Sequence, residues 1–343
     1  MILLLALACP ILGAQRIDWQ LRATLYGDNT EFFTPYRVGE TILGGQVQGW
    51  ISGQATGHLA LRLGVFADRR WGSEEFTDSL KPILAARYTT PHSLGVIGTL
   101  ENTRRHGLID PLMVSTRELT TPIEYGLQWR ERRERLDAEA WINWQRLNTP
   151  AQREAFEMGI VARVRPVRGL SIDAQHLWSH HGGQLFDAGV PVTNNRVTAL
   201  GATLSGSLPI VRHGSVQAAR LWSDGHLDPA YPTDQPRGGS GTWLRGEVNP
   251  WPLWALFVIH WRGQDFAAAA GDANYGSVGH TPGVYRAERR YTELGAWRRF
   301  GDASTGVSFD TEVRFHRIDS EQSEAFFGTP WELSYRIIVR AGL

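Results

Sequence analysis

The sequence is poor in cysteine, in lysine and in long apolar segments. Its 343 residues include one cysteine, Cys9, and one lysine, Lys81. A single cysteine excludes an internal disulfide framework and any paired-cysteine metal motif. The 35 basic and 35 acidic residues cancel, so no basic surface indicates nucleic acid as a partner. Beyond residue 14, no apolar run reaches the roughly 18 residues of a transmembrane helix, which excludes a helical membrane protein.

Motifs that bind cofactors are also missing. The sequence contains no glycine-rich phosphate loop and no helical His-Glu motif. His176, His180 and His181 lie close together, but neither adjacent nor alternating histidines define a coordination sphere by themselves. We therefore expect neither a cofactor nor a bound metal.

The first 14 residues, MILLLALACPILGA, are uncharged and apolar. This stretch is too short to cross a bilayer as a helix, but it has the length of a signal-peptide core. We predict a signal peptide over residues 1–14, with cleavage after Ala14, and one folded unit over residues 15–343. Removal of Cys9 with the signal would leave a mature chain without a thiol, which suits an oxidising compartment.

Apolar and polar residues alternate over segments of about ten residues along the remaining chain. Between Ile17 and Tyr26, one face carries apolar side chains and the other carries polar ones, and residues 123–130 and 136–145 repeat the scheme. Only an extended strand turns this period into two chemically different faces. Unpaired charges are costly to bury, so the pattern predicts a sheet with one wet face and one apolar face.

The alternating segments predict sixteen strands, near residues 17–26, 41–52, 58–68, 82–90, 94–101, 123–131, 135–147, 157–165, 170–179, 196–205, 215–223, 241–249, 253–264, 290–299, 305–318 and 331–343. Short turns and long loops alternate between them, a parity that is typical of transmembrane β-barrels. A soluble propeller or sandwich would use strands of about five residues and would not sort its loops in this way. Small residues from Gly201 to Ala219 leave two strands ambiguous, with Arg220 fitting neither face, so fourteen strands is the alternative.

The last segment resembles a known signature. Between Trp331 and Leu343, apolar residues alternate with Glu332, Ser334, Arg336 and Arg340. This segment is similar to the C-terminal strand by which Gram-negative outer-membrane barrels are recognised for assembly, and the resemblance covers the mature chain as a pattern. It implies an all-β, antiparallel up-and-down transmembrane barrel in the bacterial outer membrane, with short periplasmic turns, long extracellular loops and lipids as neighbours. The aromatic residues that fit interfacial girdles are Trp19, Trp129, Trp144, Trp178, Trp261, Trp331 and Tyr335.

The polar face is predicted to line the barrel lumen. Charges of both signs on adjacent strands pair laterally, so we expect a nearly neutral wall and weak ion selectivity. The predicted lumen-lining residues are Asp18, Arg22, Arg62, Glu124, Gln128, Arg130, Asp137, Glu139, Trp141, Asn143, Arg163, Arg165, Trp243, Arg245, Asp310, Glu312, Arg314, Arg336 and Arg340.

Two loops have unusual sequences. Strand thirteen is apolar on both faces, with Trp254, Leu256 and Val258 nominally inside. We predict that the following loop, 265–289, folds inward to cover this apolar patch and to narrow the pore. Loop 102–122 is also apolar, and we predict that it covers the barrel mouth, with contact to a partner protein as the second option.

A sixteen-stranded barrel is wide enough for a water-filled passage. The leading prediction is an outer-membrane channel for small polar solutes or saccharides, which Trp141, Trp243 and Trp254 could bind by ring stacking. Packing of these rings against an inward loop is the alternative. A homo-oligomer or a partner in an envelope complex is compatible with this function.

Two other functions compete with the channel: a sealed structural or binding barrel in an envelope complex, and an outer-membrane lipid hydrolase. A hydrolase needs a nucleophile within hydrogen-bond reach of a base. The one cluster that invites this reading is Ser179 with Asp173, His176, His180 and His181. Strand alternation places Ser179 and Asp173 on one face and His176 and His180 on the other, so the sequence predicts a protein that is not an enzyme.

Overall fold

The computed structural model describes residues 17–102, 105–189, 191–207, 211–225, 238–281, 283–301, 306–318 and 328–342. Within these ranges, sixteen antiparallel strands form one closed barrel, in which neighbours in sequence pair and the last strand pairs with the first. The predicted sixteen-stranded barrel is confirmed, and the alternative count of fourteen is wrong. The signal peptide predicted for residues 1–14 lies outside the described residues.

The strands are long and follow the predicted segments closely. In chain order they are β1 (Ile17–Glu31), β2 (Glu40–Gln54), β3 (Leu59–Arg70), β4 (Ser79–Thr89), β5 (Ser93–Thr99), β6 (Tyr125–Arg132), β7 (Leu136–Arg146), β8 (Glu154–Val167), β9 (Leu170–Gly182), β10 (Thr193–Gly206), β11 (His213–Gly225), β12 (Gly238–Asn249), β13 (Trp254–Gln264), β14 (Glu288–Phe300), β15 (Val307–Ile318) and β16 (Trp331–Gly342). One short helix, α1 (Arg117–Thr120), lies between β5 and β6. In the described part of the chain, no helix is long and apolar enough to cross a membrane.

The outer face of the barrel is a continuous apolar band. Leu61, Leu63 and Val65 of β3 are 55%, 56% and 50% exposed, and outward positions of the other strands are similar. Alternate residues of the same strands point inward and are buried or half-buried for the most part. Contiguous apolar surface of this extent is stable against lipid rather than against water. The two faces therefore match the wet and apolar faces that alternation predicts.

The side chains of β13 that point into the lumen differ from those predicted. Ile259 and Trp261 are fully buried inside the barrel, whereas Leu256 and Val258 are exposed outside. The register explains this arrangement, because Trp261 lies opposite the inward Trp243 of β12. The girdle position predicted for Trp261 and the inward positions predicted for Leu256 and Val258 are therefore wrong.

Trp254 also lies on the outer face, contrary to the prediction. It packs at the short-turn end of the barrel against Trp251, with ring centroids 6.2 Å apart, and under the guanidinium group of Arg298. A strand that is apolar on both faces carries no periodic signal. Its facing is decided by pairing with its neighbours, which the sequence of the strand does not reveal.

Three long connections fold into the lumen and occupy its outer part. We call residues 32–39 the first lumen segment, 100–124 the second and 265–287 the third. Their apolar residues join inner-wall residues such as Trp261 in one buried cluster, to which they contribute Phe32, Tyr36, Leu100, Leu108, Leu112, Met113, Phe266, Ala270 and Tyr275. The predicted inward folding of loop 265–289 is confirmed. Loop 102–122 enters the lumen instead of covering the mouth, because the inner wall offers its apolar side chains a dry surface.

The lumen segments bind one another. Val114 N donates to Ala270 O at 2.8 Å, and Asp272 N donates to Asp110 O at 2.9 Å, which joins the second and third segments. Arg37 of the first segment forms an ion pair with Asp272 of the third. The three segments therefore form a single packed body, which we call the plug.

The barrel wall has a gap where the second lumen segment leaves it. β5 ends at Thr99 and β6 begins at Tyr125, and pairing between β4 and β5 starts only at Ala85. In the described part of the chain, the outer half of β4 therefore has no strand partner on this side. A cavity of about 670 Å³ opens here, lined by Lys81, Pro82, Arg117, Thr121, Ile123, Tyr125, Asn143, Trp144 and Gln145. The gap is a lateral opening between the plug and the membrane.

Candidate active site at the outer end of the lumen

The structure brings many of the predicted lumen-lining residues together around the second lumen segment. A first cluster surrounds His106 and consists of Gln128 and Arg130 of β6, Glu139 and Trp141 of β7, and Glu124, which directly precedes β6. A second cluster, on β15 and β16, contacts the same segment through Arg314, Arg336 and Arg340. Both clusters attach the plug to the wall.

The remaining predicted residues lie away from the plug contacts or at their edge. Asp137 pairs with Arg165, Arg163 pairs with Asp173, and Arg245 pairs with Glu247. Arg22 and Arg62 lie over the ring of Trp50, and Asp18 is exposed at the short-turn end. The others are Asn143 and Trp243, which are buried, Asp310, which pairs with Arg299 and Arg340, and Glu312, which pairs with Arg314.

His106 is held between two carboxylates. Its Nε2 lies 2.7 Å from Glu124 Oε2, and its Nδ1 contacts Glu139 Oε1. The imidazole stacks on Trp141 with ring centroids 3.9 Å apart. Gly159 lies opposite Trp141 on β8, and a Cβ there would overlap the indole ring. With a carboxylate at each nitrogen, the imidazole is held as a doubly donating imidazolium.

The electrostatics of His106 agree with this state. Burial lowers the pKa of His106, but hydrogen bonds and negative charge from Glu124 and Glu139 outweigh burial and raise the pKa above its usual value. An imidazolium that uses both N–H groups has no lone pair with which to accept a proton. His106 therefore clamps the second lumen segment and is not a general base.

Raising the pH is expected to loosen this clamp. Because the folded-state pKa of His106 is raised, its stabilisation is fully present below the unfolded pKa of about 6.5 and is lost as the pH rises through the folded pKa. We expect the stacked imidazolium to quench the fluorescence of Trp141. Because the stack is lost when His106 loses its proton, the difference in fluorescence between the wild type and Trp141→Phe should increase at alkaline pH. A difference signal that stays constant across this range would contradict the clamp.

A second anchor joins the plug to β15. Asp110 Oδ1 lies 2.9 Å from Arg105, and Asp110 Oδ2 lies 3.5 Å from Arg314. Burial raises the pKa of Asp110, but the charges of Arg105, Arg314 and Arg245 outweigh it and lower the pKa to about 2. Asp110 therefore stays ionised across the physiological range, and this anchor does not titrate with His106.

Next to this anchor, four side chains form a continuous hydrogen-bonded chain on β14, β15 and β16. Ser334 Oγ lies 2.7 Å from His316 Nε2. His316 Nδ1 lies 2.6 Å from the hydroxyl of Tyr291, which lies 2.7 Å from Glu293 Oε2. Arg314 donates to Glu293 at 2.9 Å. All four side chains occupy inward positions, near the long-loop end of their strands.

The hydrogen-bond network assigns the protons in this chain. When Glu293 is ionised, Tyr291 donates its one proton to that carboxylate, so the Tyr291 oxygen accepts from His316 Nδ1–H. His316 Nε2 then carries a lone pair that faces the hydroxyl of Ser334. This is the tautomer that a histidine needs to act as the base for a serine nucleophile. Tyr291 occupies the place between histidine and carboxylate, and we call the four residues the Ser334 relay.

A small polar cavity adjoins the relay. Its volume is about 10 Å³, roughly the space of one water molecule. All three lumen segments contribute to its lining, which comprises Asp28, Thr30, Arg37, Ser115, Asp272, Glu312, Arg314, His316, Ser334, Tyr335 and Arg336. Phe32 covers His316 edge-on, with ring centroids 4.9 Å apart. In this structure the plug therefore closes the relay to larger molecules.

The Ser179 cluster of the sequence does not form a site. His176 bonds Thr198 at 2.8 Å and His180 bonds Asn194 at 2.7 Å, both on the outer face. Sequence reasoning missed Ser334 as a partner of His316, although both lie at inward positions of the last two strands. In the described part of the chain, no group of three or more His, Cys, Asp or Glu residues is arranged to hold a metal ion.

The closed barrel, the apolar outer band and the polar inner wall define a Gram-negative outer-membrane β-barrel. The chain belongs to the lipid A 3'-O-deacylase-type family, whose model matches residues 12–337. No curated protein is significantly similar to it in sequence. The expectation that the protein is not an enzyme is wrong, because this is a family of enzymes.

Solved structures with the same fold are outer membrane proteins. A loop L8 deletion mutant of OmpT from Vibrio cholerae has a TM-score of 0.57 at 8% identity, with 96% of this chain and 100% of that chain covered. OprD of Pseudomonas aeruginosa has a TM-score of 0.52 at 13% identity, with 95% of each chain covered. OccK8 (OprE) of the same organism has a TM-score of 0.53 at 11% identity, with 95% and 98% covered. At these identities, the similarity concerns the fold alone.

Proposed function

We propose that the protein is an outer-membrane esterase that removes an O-linked acyl chain from lipid A or a similar acylated lipid of the outer leaflet. The observation that carries this proposal is the Ser334 relay, in which a serine hydroxyl faces the unprotonated nitrogen of a histidine. Membership in a deacylase family supports the reaction type. The position of the relay near the long-loop end supports a substrate of the outer leaflet.

The relay supplies the groups for acyl transfer. Ser334 Oγ attacks the ester carbonyl while its proton passes to His316 Nε2, and the same proton then goes to the leaving sugar hydroxyl. Water, deprotonated by His316, hydrolyses the acyl-serine and releases a fatty acid. Arg37 and Arg336 line the same cavity, where their positive charge would stabilise the carbonyl oxyanion.

The substrate reaches the relay only when the plug moves, because the adjoining cavity holds about one water molecule. The gap between β4 and β7 provides a route for an acyl chain from the membrane. It opens directly beside α1, in which Glu118 contacts Arg340 of β16, while Ser115 just before α1 contacts Arg336. Displacement of this one segment would join the lateral opening to the relay.

Tyr291→Phe is expected to lower kcat by about ten- to a hundredfold with little change in KM, because the hydroxyl orients His316 and transmits the charge of Glu293. The fall should be largest near neutral pH, since the variant leaves the proton on His316 Nδ1 without an acceptor. Phe300→Tyr is the matched control, because it adds at a position outside the relay the same hydroxyl group that Tyr291→Phe removes. A flat loss across all pH values would indicate a structural role for Tyr291.

Covalent labelling tests the nucleophile. A fluorophosphonate with an alkyl chain should phosphonylate Ser334 of the bilayer-embedded protein, with loss of fluoride, and mass spectrometry should find the adduct on the peptide that contains Ser334. Labelling should disappear in His316→Ala. An adduct on another serine, or equal labelling of Ser334→Ala, would refute the relay as the reactive site.

A gated passage for small polar solutes is a second candidate function. The observation that favours it is the polar, laterally paired wall of β6 to β9, with the ion pairs Asp137–Arg165 and Arg163–Asp173. The plug occupies the outer part of the lumen in this structure, so conduction of solutes would require its displacement. Planar-bilayer conductance separates this function from ester hydrolysis.

A further inference from the structure

Five exposed arginines form a row on the outer face of the barrel: Arg196 of β10, Arg220 of β11, Arg262 of β13, Arg290 of β14 and Arg317 of β15. The buried residues on either side of each one point into the lumen, for example Leu221 beside Arg220 and Trp261 beside Arg262. By strand alternation, the five side chains point toward the membrane. We call them the arginine row.

The strand register places four of these residues close to one level, and the fifth, Arg196, nearer the long loops. Arg220 lies opposite Thr242, Thr242 lies opposite Arg262, and Arg262 lies opposite Arg290. On β14 and β15, Arg317 lies opposite Thr292, which is two residues from Arg290. On β10, Arg196 lies farther toward the long loops, opposite Asp224 and four residues beyond Leu200, which faces Arg220. With strands about 4.8 Å apart, the row extends over roughly 24 Å.

The row lies at the outer rim of the apolar band. Outward positions two to four residues toward the short-turn end are Leu200, Ala218, Val258, Leu294 and Phe315. Long loops follow on the other side. Arginine is strongly disfavoured in the hydrocarbon and nearly neutral at the interface. The row therefore lies at the depth of the outer-leaflet headgroups.

In the described part of the chain, the charges of the row have no carboxylate partner. Among the described residues, Arg262, Arg290 and Arg317 form no ion pair, and Arg220 bonds only the hydroxyls of Thr242 and Ser240, at 3.1 Å and 2.6 Å. Arg196 lies over the ring of Trp178 at 5.6 Å. Arginines of the lumen, in contrast, are mostly paired with carboxylates, as Arg314 is with Glu293.

Direct cross-strand neighbours of like charge repel each other, and Arg262 faces Arg290 in this way. The acidic groups nearest the row in the described sheet are Asp224, opposite Arg196, and Glu288, two residues before Arg290. Neither forms an ion pair with the row. An anion bound between neighbouring arginines would relieve the repulsion, and guanidinium groups bind phosphate through paired N–H donors.

We propose that the arginine row binds the phosphates of a lipid in the outer leaflet, and that the lipid is an acylated saccharolipid with at least two phosphate groups. The length of the row fits two or more phosphates rather than one. This binding goes beyond the proposed esterase activity and does not depend on it. It gives the barrel a fixed face, β10 to β15, toward phosphorylated lipid.

The test measures lipid binding rather than acyl release, so its outcome is separate from that of the esterase proposal. The protein is reconstituted in phosphatidylcholine nanodiscs, and binding of a diphosphorylated, acylated glucosamine disaccharide is measured beside the same lipid after phosphatase treatment. The double variant Arg262→Gln and Arg290→Gln should bind the diphosphorylated lipid at least about tenfold more weakly than the wild type. Arg298→Gln, an outward arginine at the short-turn end, is the matched control and should bind like the wild type.

Each further outcome decides the proposal. Equal binding of the two lipids by the wild type, or equal affinity of the double variant and the wild type, would overturn it. Inorganic phosphate at millimolar concentration should not displace the lipid, and displacement would mean that the row binds free phosphate instead. Retention of heat-modifiable migration on gels by each variant confirms that its barrel is folded.

Discussion

Replacement of Ser334 by alanine is expected to lower the rate of acyl-ester hydrolysis by at least about a thousandfold, as loss of a nucleophile does in other serine hydrolases. The hydroxyl of Ser334 is the group that faces the unprotonated nitrogen of His316, at 2.7 Å. Removal of one oxygen leaves the fold intact, because the residue lies on a wall strand with full pairing to β15 and β1. The measurement is release of fatty acid from acylated lipid in proteoliposomes.

Ser179→Ala is the matched control for this experiment. Ser179 also lies on a barrel strand, at an inward position, but His176 and His180 of its predicted cluster face outward. The control should hydrolyse the ester at the wild-type rate. A Ser334→Ala variant with undiminished activity would exclude the relay, whereas loss in both variants would indicate damage to the barrel.

Removal of His106 is expected to have the largest effect on the plug. In His106→Ala, the buried carboxylates of Glu124 and Glu139 lose the imidazolium between them, and breaking a buried ion pair by removing one partner costs roughly 3–5 kcal/mol. The side chains of His106 and Glu124 are 0% and 1% exposed, so solvent does little to offset the loss. We expect the second lumen segment to leave the wall and the barrel to conduct ions in planar bilayers, while the wild type stays closed.

His176→Ala controls for the loss of a histidine. His176 bonds Thr198 on the outer face and does not touch the plug, so this variant should remain as closed as the wild type. Equal conductance of His106→Ala and the wild type would show that the other anchors, such as the bond between Asp110 and Arg314, hold the segment without His106.

The barrel could be predicted from the sequence because the alternation of polar and apolar residues within each membrane strand shows which side chains face the lumen and which face lipid. Strict alternation in β1 and β3 gives two faces, and the parity of turns and loops gives the membrane setting. β13 resisted prediction, since Leu253 to Ile259 is apolar throughout and either facing satisfies the pattern. The register of its pairing with β12 determines which of its side chains point inward. Because this register depends on both strands, the sequence of β13 does not reveal it.

The site was less accessible to sequence reasoning for the same physical reason. The inward positions of Glu124, Glu139 and His316 follow from alternation, but their partners do not. His106 comes from a loop, and Ser334 meets His316 only through the stagger between β15 and β16. Arg220 fitted neither face in the sequence, and its position was explained only when the register aligned it with three other outward arginines.

The most direct test of the account is whether the wild-type protein, in a bilayer that contains lipid A, releases an O-linked fatty acid. The relay predicts fatty acid and deacylated lipid in equal amounts, detected together by mass spectrometry, with the amide-linked chains retained. Absence of both products from folded protein, in a bilayer across which it conducts small solutes, would contradict the esterase and favour the gated passage.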